Sequence, residues 1–232
     1  TPLYSSAASD VYKRQVCNAP VAQGVWGYVS NDMYKYNAQM AEKLFDEAGY
    51  PRKADGWRFE ITFEVPTGRY MMGKEQAEAI AGYLEKVGVK VKIIMMEFSA
   101  WAQKGADWTK AVFDGKVQYG DFMMSYSSWS TMTLDIDYGI YSNHITGGYW
   151  NRPTYSNPEL DKLMNEGRAE FDQNKRFELF AKAQKMIVED APYLYVVVEP
   201  IIVAMRANLE GVQALPNDYY FVSNAYFVTK ER

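Results

Sequence analysis

Two aspartates separated by one position, Asp135 and Asp137, follow Trp129 in the segment 125–140, SYSSWSTMTLDIDYGI. Trp129 offers a large flat face, and Ser127, Ser128, Ser130, Thr131 and Thr133 offer neutral hydrogen-bond donors and acceptors. With two carboxylates beside them, this set suits a small polar solute carrying an amine better than a phosphate or a hydrocarbon. The same residues have plainer uses. Asp135 can cap the helix expected after it, and Trp129 can be core. Paired carboxylates also raise glycoside hydrolysis, but acids one residue apart usually point in different directions and rarely flank a sugar bond.

Other chemistries find little support. The chain has no G-x-G-x-x-G, P-loop or G-x-S-x-G segment, which leaves phosphate cradles and a nucleophile elbow without a basis. The single histidine, His144, lies in SNHITGG and reads as a solvated loop residue; it makes a His-based metal site improbable. The single cysteine, Cys17, has no basic neighbour pair or helix start to activate it, and one cysteine excludes an intramolecular disulfide. No cofactor or metal is expected. A formal charge of −4 argues against nucleic-acid binding, which needs a basic face. No run approaches the roughly 18–20 apolar residues that cross a bilayer. With 232 residues, 48% hydrophobic and 23% charged, the chain has enough material for one large or two small globular domains.

The elements that must position Trp129 and the acids are legible from periodicity. Residues 1–15 carry no period and are expected to be a disordered or non-native tail. A helix is predicted over 37–48, stopped by Gly49 and Pro51, and a strand over 57–65 alternates apolar and polar residues, so one face should be wet or only partly covered. A helix over 74–87, a strand over 89–95, a helix over 98–113 and a strand over 121–125 follow. This β-α-β-α-β order implies a mainly parallel sheet with covering helices, and solutes bind at the carboxyl ends of such strands. Helices are then expected from Ser156-Asn157-Pro158-Glu159 and from Asp172, the second burying Phe177, Phe180, Ala181, Ile187 and Val188. A buried strand should occupy 193–198, and a turn-rich segment 208–229.

Several blocks in order resemble a known family. They are PVAQGVWGY (20–28), YKYNAQMAEKLFDEAGYP (34–51), AEAIAGYLEKVGVKVKI (77–93), GDFMMSYSSWS (120–130), TYSNPELDKLMNEG (154–167), NKRFELFAKAQKMIVEDAPYLYVVVEP (174–200) and NLEGV (208–212). Together they resemble the C-terminal lobe of an extracytoplasmic solute-binding protein of the peptide/nickel/glutathione class, which serves ABC importers. The resemblance implies an α/β fold of the periplasmic binding protein type II, with residues 16–205 forming the second lobe. The N-terminal lobe would be missing, and 206–232 would return toward it. It also implies that Asp137 pairs with the ammonium of a short peptide, with Asp135 beside it. Trp129 and Tyr138 would line the pocket, Ser130 and Thr131 would supply hydrogen bonds, and Trp26 and Tyr28 would be secondary pocket or hinge residues. Met132 and Leu134 stand where the family usually has small residues, and would narrow or grease that part of the site.

The expected function is therefore capture of a short peptide or similar amine-bearing solute by lobe closure. The protein would be a monomer without catalytic activity, working with a membrane permease from the periplasm or from a lipid anchor on the outer face of the membrane. An extracellular carbohydrate-binding module, suggested by 6 Trp, 19 Tyr and 11 Phe, is the alternative. A hydrolase stands third.

Overall fold

The computed structural model describes residues 15–117, 123–199, 203–215, 217 and 219–228. The chain divides into two compact units, crossing between them at 33–34, 129–130, 148–149 and 154–155.

The unit formed by 34–129 and 149–154 is the β-α-β-α-β body. Helix α1 (Ala38–Glu47) starts because Asn37 accepts the Met40 amide at 2.9 Å. Strand β2 (Phe59–Thr67) lies between β3 (Val89–Glu97) and β4 (Met123–Ser125), parallel to both; β1 (Gln15–Val16), the first strand among the described residues, belongs to the other unit. Helix α2 (Gly73–Lys86) links β2 to β3, and Gly88 makes the turn between them at φ +86°. Helix α3 (Phe98–Phe113) links β3 to β4, with Glu97 accepting the Ser99 and Ala100 amides. The third strand was expected over 121–125; residues 121 and 122 lie outside the described residues. Ile61, Val87 and Val89 bury one part of the core, and Phe63, Val65 and Ala77 another.

Strand β2 departs from the expected half-wet pattern. Glu60 is exposed, but Glu64 is only 3% exposed and ion-paired to Lys104 of α3. A central strand of a parallel sheet is covered on both faces, so a polar residue there must find a partner. Arg58, just before β2, is buried likewise. It donates to the carbonyls of Val87 and Tyr50 and to Asp46.

The other unit holds 130–148 and 155–232 together with the chain up to residue 33. Its core gathers Val21, Val25, Ile136, Ile140, Leu160, Met164, Phe180, Ala183 and Ile187. Helix α4 (Ile136–His144) packs with α5 (Pro158–Ala169) and α6 (Gln173–Asp190). Asn157 and Asp172 cap the last two at the predicted positions. On α6, Phe180, Ile187 and Val188 are buried as expected, with Ala183 and Gln184. Phe177 is not; it is 40% exposed and meets the edge of Trp26 at 6.4 Å.

The strand expected over 193–198 is reduced to β5 (Val197–Val198), antiparallel to β1 (Gln15–Val16). Tyr193 and Tyr195 instead turn toward the end of α4: their hydroxyls meet the Asn143 carbonyl at 3.4 Å and His144 Nε2 at 3.2 Å. β1 begins at Gln15, the last residue of the expected tail; residues 1–14 lie outside the described residues. Two short ribbons, β6 (Leu209–Glu210) with β9 (Tyr226–Phe227) and β7 (Gln213–Ala214) with β8 (Tyr220–Phe221), make up the turn-rich C-terminal segment.

Candidate functional site

The segment that carries the sequence candidates is divided between the units: Trp129 ends a stretch of one and Ser130 opens a stretch of the other. Trp129 is half-buried, with its ring 5.6 Å from that of Trp150. Beyond it, residues 130–135 form a tight turn into α4. Thr131 is buried and its carbonyl accepts the Leu134 amide at 2.9 Å. Ser130 is half-buried, and its carbonyl accepts the Met132 amide at 3.1 Å. Thr131 is therefore a core residue rather than an open hydrogen-bonding group.

Trp26 is stitched to this turn through its backbone. Its N–H donates to Leu134 O at 2.8 Å, and its carbonyl accepts the Ile136 amide at 3.0 Å. The next residue, Gly27, has φ +91°, and a Cβ there would lie 2.6 Å from Ile136, so only glycine lets the two segments approach. Tyr28 packs against the core, and its hydroxyl donates to Asn18 at 3.3 Å. Trp26 and Tyr28 thus fix the turn and the entry of the chain into it.

The two aspartates have different employment. Asp135 is the N-cap of α4, accepting the Asp137 amide at 2.9 Å, and takes a bidentate pair from Arg176 at 2.7 and 2.8 Å. The Arg176 guanidinium also lies over Trp26 at 4.4 Å and Phe180 at 5.0 Å. Burial pushes the Asp135 carboxyl up, but hydrogen bonds from Arg176 and the Asp137 amide hold it below the usual range. Both of its oxygens are in use. Asp137, in the first turn of α4, is ion-paired through Oδ1 to Arg168 Nε at 3.3 Å; that oxygen is closed off from solvent and the contact lacks hydrogen-bond geometry. Burial raises its carboxyl, opposed by the pull of Arg168 and assisted by repulsion from Asp135. Tyr138, on the same turn, donates its hydroxyl to Met132 Sδ at 3.2 Å.

His144 is not a solvated loop residue. It ends α4, is 2% exposed, and has Nδ1 2.8 Å from the Ile140 carbonyl; burial lowers it to about 4. Cys17 is half-buried, donates its thiol hydrogen to the Ala19 carbonyl and is pushed up by burial, as an inert thiol would be.

A second group escaped the sequence reading. Where β2, β3 and β4 end, Tyr70, Phe98, Trp101 and Tyr126 cluster with ring centroids 5.7–6.4 Å apart. The exposed Arg69 guanidinium lies 5.5 Å over Phe98 and 6.0 Å over Tyr70. Among the described residues it forms no ion pair. A guanidinium on an aromatic shelf, at the carboxyl ends of parallel strands, is placed to receive a carboxylate. The available sequence signal was Arg69-Tyr70, four residues beyond the end of the strand predicted over 57–65 and two beyond the end of β2 at Thr67. Among the described residues, no group of three or more His, Cys, Asp or Glu is arranged to hold a metal ion.

An open parallel sheet with helices on both faces, feeding a capped helix through a tryptophan-bearing loop, is the architecture of a type II periplasmic binding protein lobe. Residues 8–151 match the family of bacterial extracellular solute-binding proteins, family 5 (middle region), and the chain belongs to that family. It is 26% identical over 215 residues to the oligopeptide-binding protein AppA of Bacillus subtilis, covering 87% of this chain and 37% of that protein. It is 24% identical over 197 residues to the glutathione-binding protein GsiB of Pectobacterium atrosepticum, covering 83% and 36%. The solved structure of Bacillus subtilis AppA with a nonapeptide shares the fold at a TM-score of 0.73 and 23% identity, over 93% of this chain and 43% of that one. The chain thus spans a little over a third of the length of the curated relatives it matches.

Proposed function

We propose that the protein is a non-catalytic receptor that captures short peptides, or similar solutes bearing an amine and a carboxylate, outside the cytoplasm and passes them to an ABC permease. Membership of family 5 supports the receptor class, and relatives named for oligopeptide and glutathione binding support the solute class. The observation that carries the ligand chemistry is Arg69: an exposed guanidinium on Phe98 and Tyr70, with no acid paired to it among the described residues. Within its own unit it is placed to take a carboxylate. In the other unit Asp137, half-buried in the first turn of α4, is the candidate for an amine; its Oδ1 is sealed from solvent beside Arg168, so an ammonium would meet its other oxygen. Asp135 supports it by capping the helix rather than by touching solute. Closure of lobes in the full-length protein then favours the bound state only to the extent that the solute binds the closed form better.

A glycan-binding module is the weaker reading. The aromatic residues that suggested it, Trp129 among them, serve here as neighbours of other rings. The test is calorimetric titration of the full-length receptor with dipeptides and glutathione. Asp137→Asn is expected to cost about 2–5 kcal/mol of binding, the range for truncating one side of a buried charge pair. Because burial raises the Asp137 carboxyl, affinity should start to fall above the usual carboxylate range as pH drops. Full affinity in the variant removes Asp137 from the site, and a glycan array positive without any peptide response removes the peptide reading.

A further inference from the structure

Met132 stands at the tip of the turn into α4, and neither the amine nor the carboxylate contact proposed above involves it. Its side chain is 38% exposed, so it is not core. Nor is it a loose surface residue. Its carbonyl accepts Asn217 Nδ2 at 2.8 Å, its amide donates to Ser130 O at 3.1 Å, and its sulfur accepts the Tyr138 hydroxyl at 3.2 Å. Two residues on, Leu134 is held at φ +55°, a left-handed conformation unfavourable for a bulky L-residue. Such strain persists only where the surroundings over-determine it. Here the Trp26 and Thr131 backbones do so, through bonds of 2.8 and 2.9 Å to the Leu134 carbonyl and amide. The turn that carries the exposed Met132 thus contains a strained position, and the Tyr138 hydroxyl fixes the Met132 sulfur.

We infer that Met132 is a specificity-determining residue: with Tyr138 it forms a fixed apolar contact that selects solutes carrying an apolar side chain next to their amine. This rests on the receptor reading above. Both acids nearby in sequence face arginines, Asp135 with Arg176 and Asp137 with Arg168. The turn tip itself offers no charge, so it rewards an apolar group and not a second cation. A methionine suits this use, because its polarisable, unbranched chain adapts to several apolar partners. Tyr138, on the same helical turn as Asp137, places the contact beside the group proposed to take the amine.

The experiment is calorimetry of the full-length receptor with two dipeptide series, Xaa-Ala and Ala-Xaa, with Xaa as Leu, Phe, Ser or Lys. The wild type should bind Leu-Ala and Phe-Ala at least about tenfold more tightly than Ser-Ala and Lys-Ala, the scale of discrimination an apolar contact supports. Met132→Ser should reduce that preference to about threefold or less, leave the Ala-Xaa series unchanged, and retain the wild-type melting temperature. Met132→Leu should restore it. If dipeptides bind but the wild type shows no first-residue preference, or Met132→Ser keeps it, the inference is overturned while the receptor reading stands. If neither series binds, both are overturned.

Discussion

Arg176 and Arg168 in one unit and Arg69 in the other carry the same charge and do opposite things. Arg176 is nearly buried, grips Asp135 with two hydrogen bonds and is stacked on two aromatic rings. Arg168 lies over Tyr141 at 3.9 Å and faces Asp137. Arg69 also lies on aromatic rings, but no acid among the described residues faces it. A paired guanidinium fixes structure; an unpaired one on a shelf is available to a ligand. The residue type does not distinguish the two uses, and only the partner does.

The largest expected effect lies at the far end of α4, where the first of these units keeps a neutral histidine. Burial lowers His144 from 6.5 to about 4, so the unfolded chain binds more protons than the folded one between those values. Stability should be fully present above about pH 6.5 and fall by about 3 kcal/mol as pH drops toward 4. Urea denaturation at pH 7 and 4.5 checks this, and His144→Gln should lose most of that component. A variant with an unchanged pH dependence would mean that other groups carry it.

Next comes Arg176→Met, which strands Asp135 at the helix cap. Breaking a fully buried pair costs about 3–5 kcal/mol, but the Asp135 side chain is 34% exposed, so about 2 kcal/mol is expected. A shift in urea midpoint worth under 0.5 kcal/mol would make the pair ornamental and weaken the contrast. The smallest effects on stability belong to Arg168→Met and Arg69→Met, each within about 0.5–1 kcal/mol, because both guanidinium groups are solvent-facing. A large loss from Arg69→Met would show that its shelf is a structural prop.

The parts of the fold that could be read from sequence are those written locally. Asn37, Asn157 and Asp172 cap helices because a side-chain oxygen reaches an amide two or three residues on. Helix α3 runs over the predicted 98–113. Features set by distant partners were hidden. The 193–198 strand shrank because Tyr193 and Tyr195 meet α4 and only Val197–Val198 finds a neighbour in β1. His144 looked solvated because its partner Tyr195 lies 51 residues away. Glu64 and Arg58 read as a wet face because Lys104 and Asp46, which satisfy them, come from other elements. In the candidate site, the two readings of Asp135 could not be separated without Arg176, 41 residues on. Arg69 could not be singled out until Phe98, from the end of the neighbouring strand, was placed beneath it.

The most direct test compares a dipeptide with its C-terminal amide, Leu-Ala against Leu-Ala-NH₂, on the wild-type full-length receptor and on Arg69→Met, by calorimetry. Removing the carboxylate charge should weaken binding to the wild type at least about tenfold, while the variant should bind both forms with equal, reduced affinity, as expected when one charge pair accounts for the difference. An amide penalty of the same size in both proteins would contradict the assignment of Arg69 as the carboxylate contact.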